Sequence, residues 1–265
     1  MIVCADDFGL ADDIDSAILD LAERGGITAV SCMVALDRFD GVAFQQLLQR
    51  GDRVDIGLHL TLTECPPVHT VSGVESLLQP TGVFHSMGEL LRRGLRGSLN
   101  ADDVAREIRA QYDRFIQLAG RSPDYVDSHL HCHQFPGVRE GVLKFLDTLD
   151  PETGPYIRNS AMSLRKIVRQ RVSPLKCLGI GLFGNQFRRA LLKRGWKTNS
   201  GFAGIYAYDG HRAYAGYLER FVACMESRNG ILMTHPGVTE AWRKMEYRTL
   251  RDAGCLRGHI NRFGK

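Results

Sequence analysis

The run Tyr125-Val126-Asp127-Ser128-His129-Leu130-His131-Cys132-His133 joins a short apolar lead to three of the chain's nine histidines. Read as extended backbone, it sends His129, His131 and His133 to one side, because side chains alternate along a strand. Imidazole is the commonest protein ligand for zinc and similar ions, and facing imidazoles repel one another once protonated. Capping a loop or bonding backbone groups is the plainer role for any single histidine. Three on one face favour a metal.

The same event recurs along the chain. Ile2–Ala5 stops at Asp6-Asp7, Val54–Leu58 stops at His59, and Ile231–Thr234 stops at His235. In a parallel barrel all strands point the same way, so their C-terminal ends meet at one mouth, where barrel enzymes keep their chemistry. Taken singly, Asp6 or Asp7 reads equally well as a cap of the following helix, and His59 or His235 as a satisfied core histidine. Four strand ends falling on Asp or His favour a shared site.

Between these ends the pattern alternates. Asp12 to Arg24 carries Ile14, Ala17, Ile18 and Leu21 at helical spacing, with acids early and Gly25-Gly26 as a stop. Strands are expected at 28–34, 54–58, 124–128, 155–158 and 230–234. Further helices are expected at 41–50, 101–118, 138–149, 212–228 and 239–253. Strand–helix alternation of this kind predicts βα units around a parallel sheet. Residues 64–100, rich in Pro, Gly and Ser, read as a loop insertion over one end of that sheet. The fold expected is α/β, one domain over residues 1–265, built as a distorted (β/α) barrel.

At 265 residues and 44% hydrophobic content, the chain is long enough for a sizeable core, and its net charge of +4 does not call for nucleic acid. Seven cysteines, scattered without CxxC pairs, argue against a disulfide framework and a zinc ribbon. With no apolar run of membrane-spanning length and no basic leader before an apolar stretch, a cytoplasmic protein without an integral membrane segment is expected. Residues 165–197 carry ten Lys or Arg, and no acid falls between Glu152 and Asp209. This segment reads first as a solvated helical face. A membrane surface, a phosphate-bearing substrate or RNA are the alternatives, and Leu178, Ile180, Leu182 and Phe183 could line an oligomer contact such as a homodimer.

One aspartate with two histidines would leave a divalent ion Lewis-acidic, with an open position for water or substrate. A neighbouring aspartate could take a proton from water, and a histidine across the site could protonate a departing amine.

Ala5-Asp6-Asp7-Phe8-Gly9, Gly57-Leu58-His59-Leu60, Asp127-Ser128-His129-Leu130-His131 and His235-Pro236-Gly237 together resemble the motifs of the YdjC-like carbohydrate deacetylases. That family includes chitooligosaccharide deacetylases and hopanoid-biosynthesis-associated members. The motifs run from residue 5 to 237 in family order. The resemblance implies a distorted barrel of the polysaccharide-deacetylase-like type, holding one divalent ion (magnesium or zinc) and removing the acetyl group of an N-acetylated sugar. It implies Asp7, His59 and His129 as metal ligands, Asp6 as general base and His235 as general acid or as a stabiliser of the transition state. His131 and His133 read either as support behind the metal ligands or as substrate contacts, and Arg158 and Asn199 are weaker substrate-site candidates, the last in a Thr198–Phe202 stretch read as a substrate loop. The competing readings are a metal-dependent phosphoesterase, which two adjacent metals and phosphate release would favour, and a non-catalytic carbohydrate-binding barrel.

Overall fold

Strand β1, Ile2–Phe8, is buried along its whole length, and the rest of the sheet is laid out on either side of it. The computed structural model describes residues 1–39, 41–70, 72–208, 213–225, 229–253 and 262–263. After β1 come α1 (Asp12–Arg24), β2 (Ala29–Cys32), α2 (Gly41–Leu48) and β3 (Asp55–Leu60). Then follow α3 (Met87–Leu95), α4 (Ala101–Ala119), β4 (Tyr125–Ser128), α5 (Val138–Leu146) and β5 (Tyr156–Ile157). The chain continues through α6 (Leu164–Gln170), α7 (Pro174–Lys193), β6 (Gly201–Ala203), α8 (Tyr214–Ala223), β7 (Gly230–Thr234) and α9 (Ala241–Asp252).

Helix α1 starts and stops where its residues dictate. Asp12, Asp13 and Asp15 sit in its first turn, where the helix dipole favours anions, and Gly25 closes it in the left-handed conformation. Its N-cap is Ala11, so neither Asp6 nor Asp7 caps it.

All seven strands run parallel, in the order β5-β4-β3-β2-β1-β7-β6. The sheet curls until its two edges meet. Ile157 bridges Thr198 just ahead of β6, its amide donates to the Lys197 carbonyl at 3.0 Å, and Thr198 Oγ1 donates to the Ile157 carbonyl at 2.6 Å. The result is the distorted β/α barrel expected.

Period-two alternation sorts the strand residues onto two faces. Val3, Ala5, Val30, Ile56, Leu58, Val126 and Leu232 share one core with residues of α1, α2 and α4. Ile2, Cys4, Ala29, Tyr125, Ile231 and Met233 fill the barrel interior, where Phe263 stacks on Tyr125 with ring centroids 4.4 Å apart. Gly57 makes room for Tyr125: a Cβ there would lie 2.4 Å from the tyrosine ring.

Some boundaries differ from the sequence expectation. The insertion at 64–100 is not only loop, since it holds a 3-10 turn at Glu75–Leu77 as well as α3. Helix α3 buries only Leu90 and Gly94, so it shows little apolar periodicity; Gly94 packs so closely on Pro136 that a Cβ would overlap its carbonyl. The helix expected over 212–228 is described as Tyr214–Ala223; residue 212 and residues 226–228 lie outside the described residues. The stretch read as a substrate loop at 198–202 leads instead into β6. Cys4, Cys32, Cys65, Cys132 and Cys177 are buried free thiols. Among the described residues no helix is long and apolar enough to cross a membrane.

Candidate metal centre

A β-bulge brings two adjacent carboxylates to the same place. On β1 the register with β2 pairs Ala5 with Val30 and then Phe8 with Cys32, so β1 carries one extra residue across Asp6 and Asp7. In a regular strand Asp7 would face the helices, opposite Asp6. Instead Asp7 adopts φ 72°, a left-handed conformation costly for a non-glycine residue, and turns inward. Phe8 then returns to the helix-facing core.

Asp7, His59 and His129 converge there. Asp7 Oδ1 lies 3.5 Å from His59 Nε2 and 3.0 Å from His129 Nδ1, and one donor atom from each residue falls within 4.8 Å of the others. Asp7 and His59 are buried, whereas His129 is partly open to solvent. His59 is inside β3, not beyond its end. Its Nδ1 donates to Asp127 Oδ1 at 2.7 Å, which fixes the tautomer and leaves Nε2 free to face Asp7.

The histidine cluster itself is not extended. Residues His129–Gln134 form a 3-10 segment in which Leu130 (φ 55°) and His131 (φ 58°) are left-handed, so the three histidines go to three different places. His129 reaches Asp7. His131 Nδ1 lies 3.2 Å from Ser160 Oγ, and its ring stands edge-on to Phe202. His133 Nε2 donates to the Arg158 carbonyl at 2.9 Å while its Nδ1 meets Ser128 Oγ. With both nitrogens engaged and the ring buried, His133 is tied to the fold and has no free group for substrate.

Arg158 lies beneath the cluster, fully buried. Its guanidinium holds Asp6 through two bonds of 2.6 and 2.7 Å, reaches Asp127 Oδ2 at 2.7 Å and lies 3.3 Å from Cys4 Sγ. The cation thus sits among Cys4, Asp6 and Asp127, a second grouping of ligand-type atoms. Arg158 is therefore a support under the site and not an exposed substrate contact. Asn199 is also spent on the fold. Its amide donates to the Asn159 and Gly201 carbonyls and its oxygen accepts from the Asn159 backbone, which ties β5 to β6.

The charges do not balance without a further cation. Asp6, Asp7 and Asp127 bring three carboxylates, and Arg158 and Arg243 two guanidiniums; Arg243 donates to Asp7 Oδ2 at 2.8 Å. One negative charge is left in a buried setting. Burial opposes a charged His59, yet the Asp127 and Asp6 carboxylates outweigh it and push its imidazole up to about 10. A proton on Nε2 there takes the place that a metal ion would fill, so the donor set fits a divalent cation. Burial likewise opposes ionisation of Asp6, but Arg158 holds its carboxyl well below the usual range.

His235 faces the site from the end of β7. Its ring packs edge-on between Tyr208 and Trp242, and its buried Nδ1 has no hydrogen-bond partner. Burial pushes the imidazole down to about 4 against the pull of Asp7 and Asp6, so it rests neutral. Its backbone N–H donates to Glu246, which also accepts from Tyr206 Oη at 2.5 Å. Asp127, Arg243 and Glu246 are site groups that the strand-end pattern does not single out. Arg243 and Glu246, with Leu250, form the buried face of α9 at spacings of three and four, but two charged residues in that stripe give no apolar signal.

The fold is a parallel β/α barrel, and the Asp-His-His cluster at its mouth, backed by a carboxylate–arginine network, is a candidate centre for a metal ion. Residues 1–257 match the YdjC-like protein family, and the chain belongs to it. It is 38% identical over 146 residues to a mouse protein named carbohydrate deacetylase, covering 52% of this chain and 44% of that one. It is 32% identical over 155 residues to a chitooligosaccharide deacetylase of Citrobacter koseri, covering 55% and 54%. The chain thus spans about half the length of the curated relatives it matches. A crystal structure from Enterococcus faecalis, described as that of a candidate cellobiose-phosphate cleavage protein, superposes with a TM-score of 0.70 at 19% identity. It covers 97% of this chain and 92% of its own, a likeness of fold.

Proposed function

We propose that the protein is a metal-dependent hydrolase that removes the acetyl group from an N-acetylated sugar. The observation that carries this reading is the convergence of Asp7, His59 and His129, whose donor atoms lie within 4.8 Å of one another at the barrel mouth. Membership of the YdjC-like family and the names of its relatives support the reaction class. Two nitrogens and one oxygen suit zinc, with magnesium the other candidate. When bound, the ion would supply Lewis acidity toward an amide carbonyl and toward water.

The remaining steps belong to the chain. Asp6, kept ionised by Arg158, accepts the proton of the attacking water. His235, neutral at rest and held through its backbone by Glu246, takes up the proton that Asp6 has drawn from water and hands it to the departing amine nitrogen. Water and amide thereby become acetate and free amine. Asp127 fixes the His59 tautomer, and Arg243 leaves Asp7 with one free oxygen for the ion. The second grouping of ligand-type atoms is spanned by Arg158, so among the described residues nothing favours the two-metal arrangement of a phosphoesterase. Asp6→Asn is the dividing test: the variant keeps its metal and loses acetate release. Loss of metal instead would mean that the roles of Asp6 and Asp7 are exchanged.

A further inference from the structure

Helices α6 and α7 carry apolar side chains on the outside. On α6, Leu164 and Val168 are one turn apart and 67% and 72% exposed, while Ile167 and Gln170 face inward. On α7, Leu175, Leu178 and Leu182 follow at spacings of three and four; Leu175 is 84% exposed. The opposite face of α7, with Cys177, Gly181, Gly184, Phe187 and Leu191, is buried. Each helix thus carries apolar side chains on a face largely open to solvent. The same two helices carry Arg165, Lys166, Arg169 and Lys176, Arg171 lies in the link between them, and no acid occurs from residue 153 to residue 208.

We infer that this helix pair is a docking surface for an anionic lipid bilayer. Exposed Leu and Val on the outer faces, with Lys and Arg beside them, is the pattern of helices that lie in a membrane interface. Charge selects the occupant. A second copy would bring two uniformly basic faces together, whereas anionic headgroups complement them and attract each cation near the surface. The surface is also tied to the site. Phe187 of α7 packs on His133 and Phe183 on Phe135, next to the 129–134 segment. Lys176 lies over the ring of Tyr208, which in turn stands against His235. Docking would therefore set the barrel mouth beside the lipid surface.

The test is co-sedimentation of the full chain with vesicles of phosphatidylcholine, with and without phosphatidylglycerol. The protein should sediment with the anionic vesicles, and added salt should release it. Val168→Glu with Leu175→Glu should lower partitioning by more than about tenfold with an unchanged thermal melt, and Arg165→Glu with Arg171→Glu should do the same. No binding to anionic vesicles, or equal binding to neutral ones, would overturn the inference. So would a dimer, seen by light scattering without lipid, that Val168→Glu with Leu175→Glu breaks apart. Vesicle binding is read without turnover, so its failure leaves the deacetylase reading standing, and silence in an acetate assay leaves the docking surface standing.

Discussion

Arg243 holds one oxygen of Asp7 at 2.8 Å and thereby leaves the other for His59 and His129. The contact joins α9, near the end of the described chain, to the bulge in the first strand. Arg243→Met should remove the hold, let the Asp7 carboxylate rotate and weaken metal retention by about 10- to 100-fold. Arg243→Lys should restore part of it. Titrating metal into chelator-treated protein checks this, and an unchanged affinity in the Met variant would remove Arg243 from the account.

Asp127 accepts from three donors at once: His59, Ser31 and Arg158. An amide at that position faces at least one of them with N–H groups. Asp127→Asn is expected to cost about 3–5 kcal/mol of stability, as for other broken buried ion pairs, and to loosen metal binding by about 10- to 100-fold. Denaturant unfolding and metal titration of the same variant separate the two effects. Normal metal affinity in a folded Asn variant would show that the His59 tautomer does not depend on Asp127.

His133 and His129 are four residues apart and should respond in opposite ways. His133→Ala loses both of its ring contacts and leaves a cavity, so it should destabilise by about 2–4 kcal/mol while the folded fraction keeps near-normal turnover. His129→Ala should do the reverse, leaving stability close to the parent and abolishing turnover. A folded His133→Ala protein without activity would return that residue to the reaction.

Glu246 and His235 give the metal-free protein two opposed pH dependences. Burial raises Glu246 from 4.5 to about 7. Between those values the folded state binds the extra proton, so this group's contribution falls as pH rises, by up to about 3 kcal/mol at 1.36 kcal/mol per unit. Burial lowers His235 from 6.5 to about 4, so the unfolded state binds the extra proton there and stability rises with pH. From about pH 4.5 to 6.5 the two slopes largely cancel. Glu246→Gln should therefore uncover a rising slope, and His235→Gln a falling one, in unfolding curves taken with chelator present. Parallel slopes in parent and variants would contradict both assignments.

What the sequence made legible followed from local rules. The span of α1 was readable because its acids, apolar spacing and Gly25 all mark the same boundaries. That Asp6-Asp7, His59 and His129 would lie near one another was legible because a parallel barrel gathers strand ends whatever its loops do, whereas the choice of Asp7 over Asp6 came only with the family resemblance. The conformation of residues 129–134 was not, since left-handed backbone at Leu130 and His131 is imposed by the surroundings against local preference. Helix α3 hid because it buries so little, and the site-facing stripe of α9 hid because a polar helix suggests solvent. Arg158 and Asn199 looked available to substrate only until their buried partners were known.

The decisive measurement is acetate release from N-acetylglucosamine oligomers by the parent protein and by His129→Ala, with and without chelator. The parent should release acetate, lose that activity with chelator and regain it with added zinc or magnesium, and the variant should release none. Acetate that persists in chelator, or in His129→Ala, would contradict metal-dependent deacetylation.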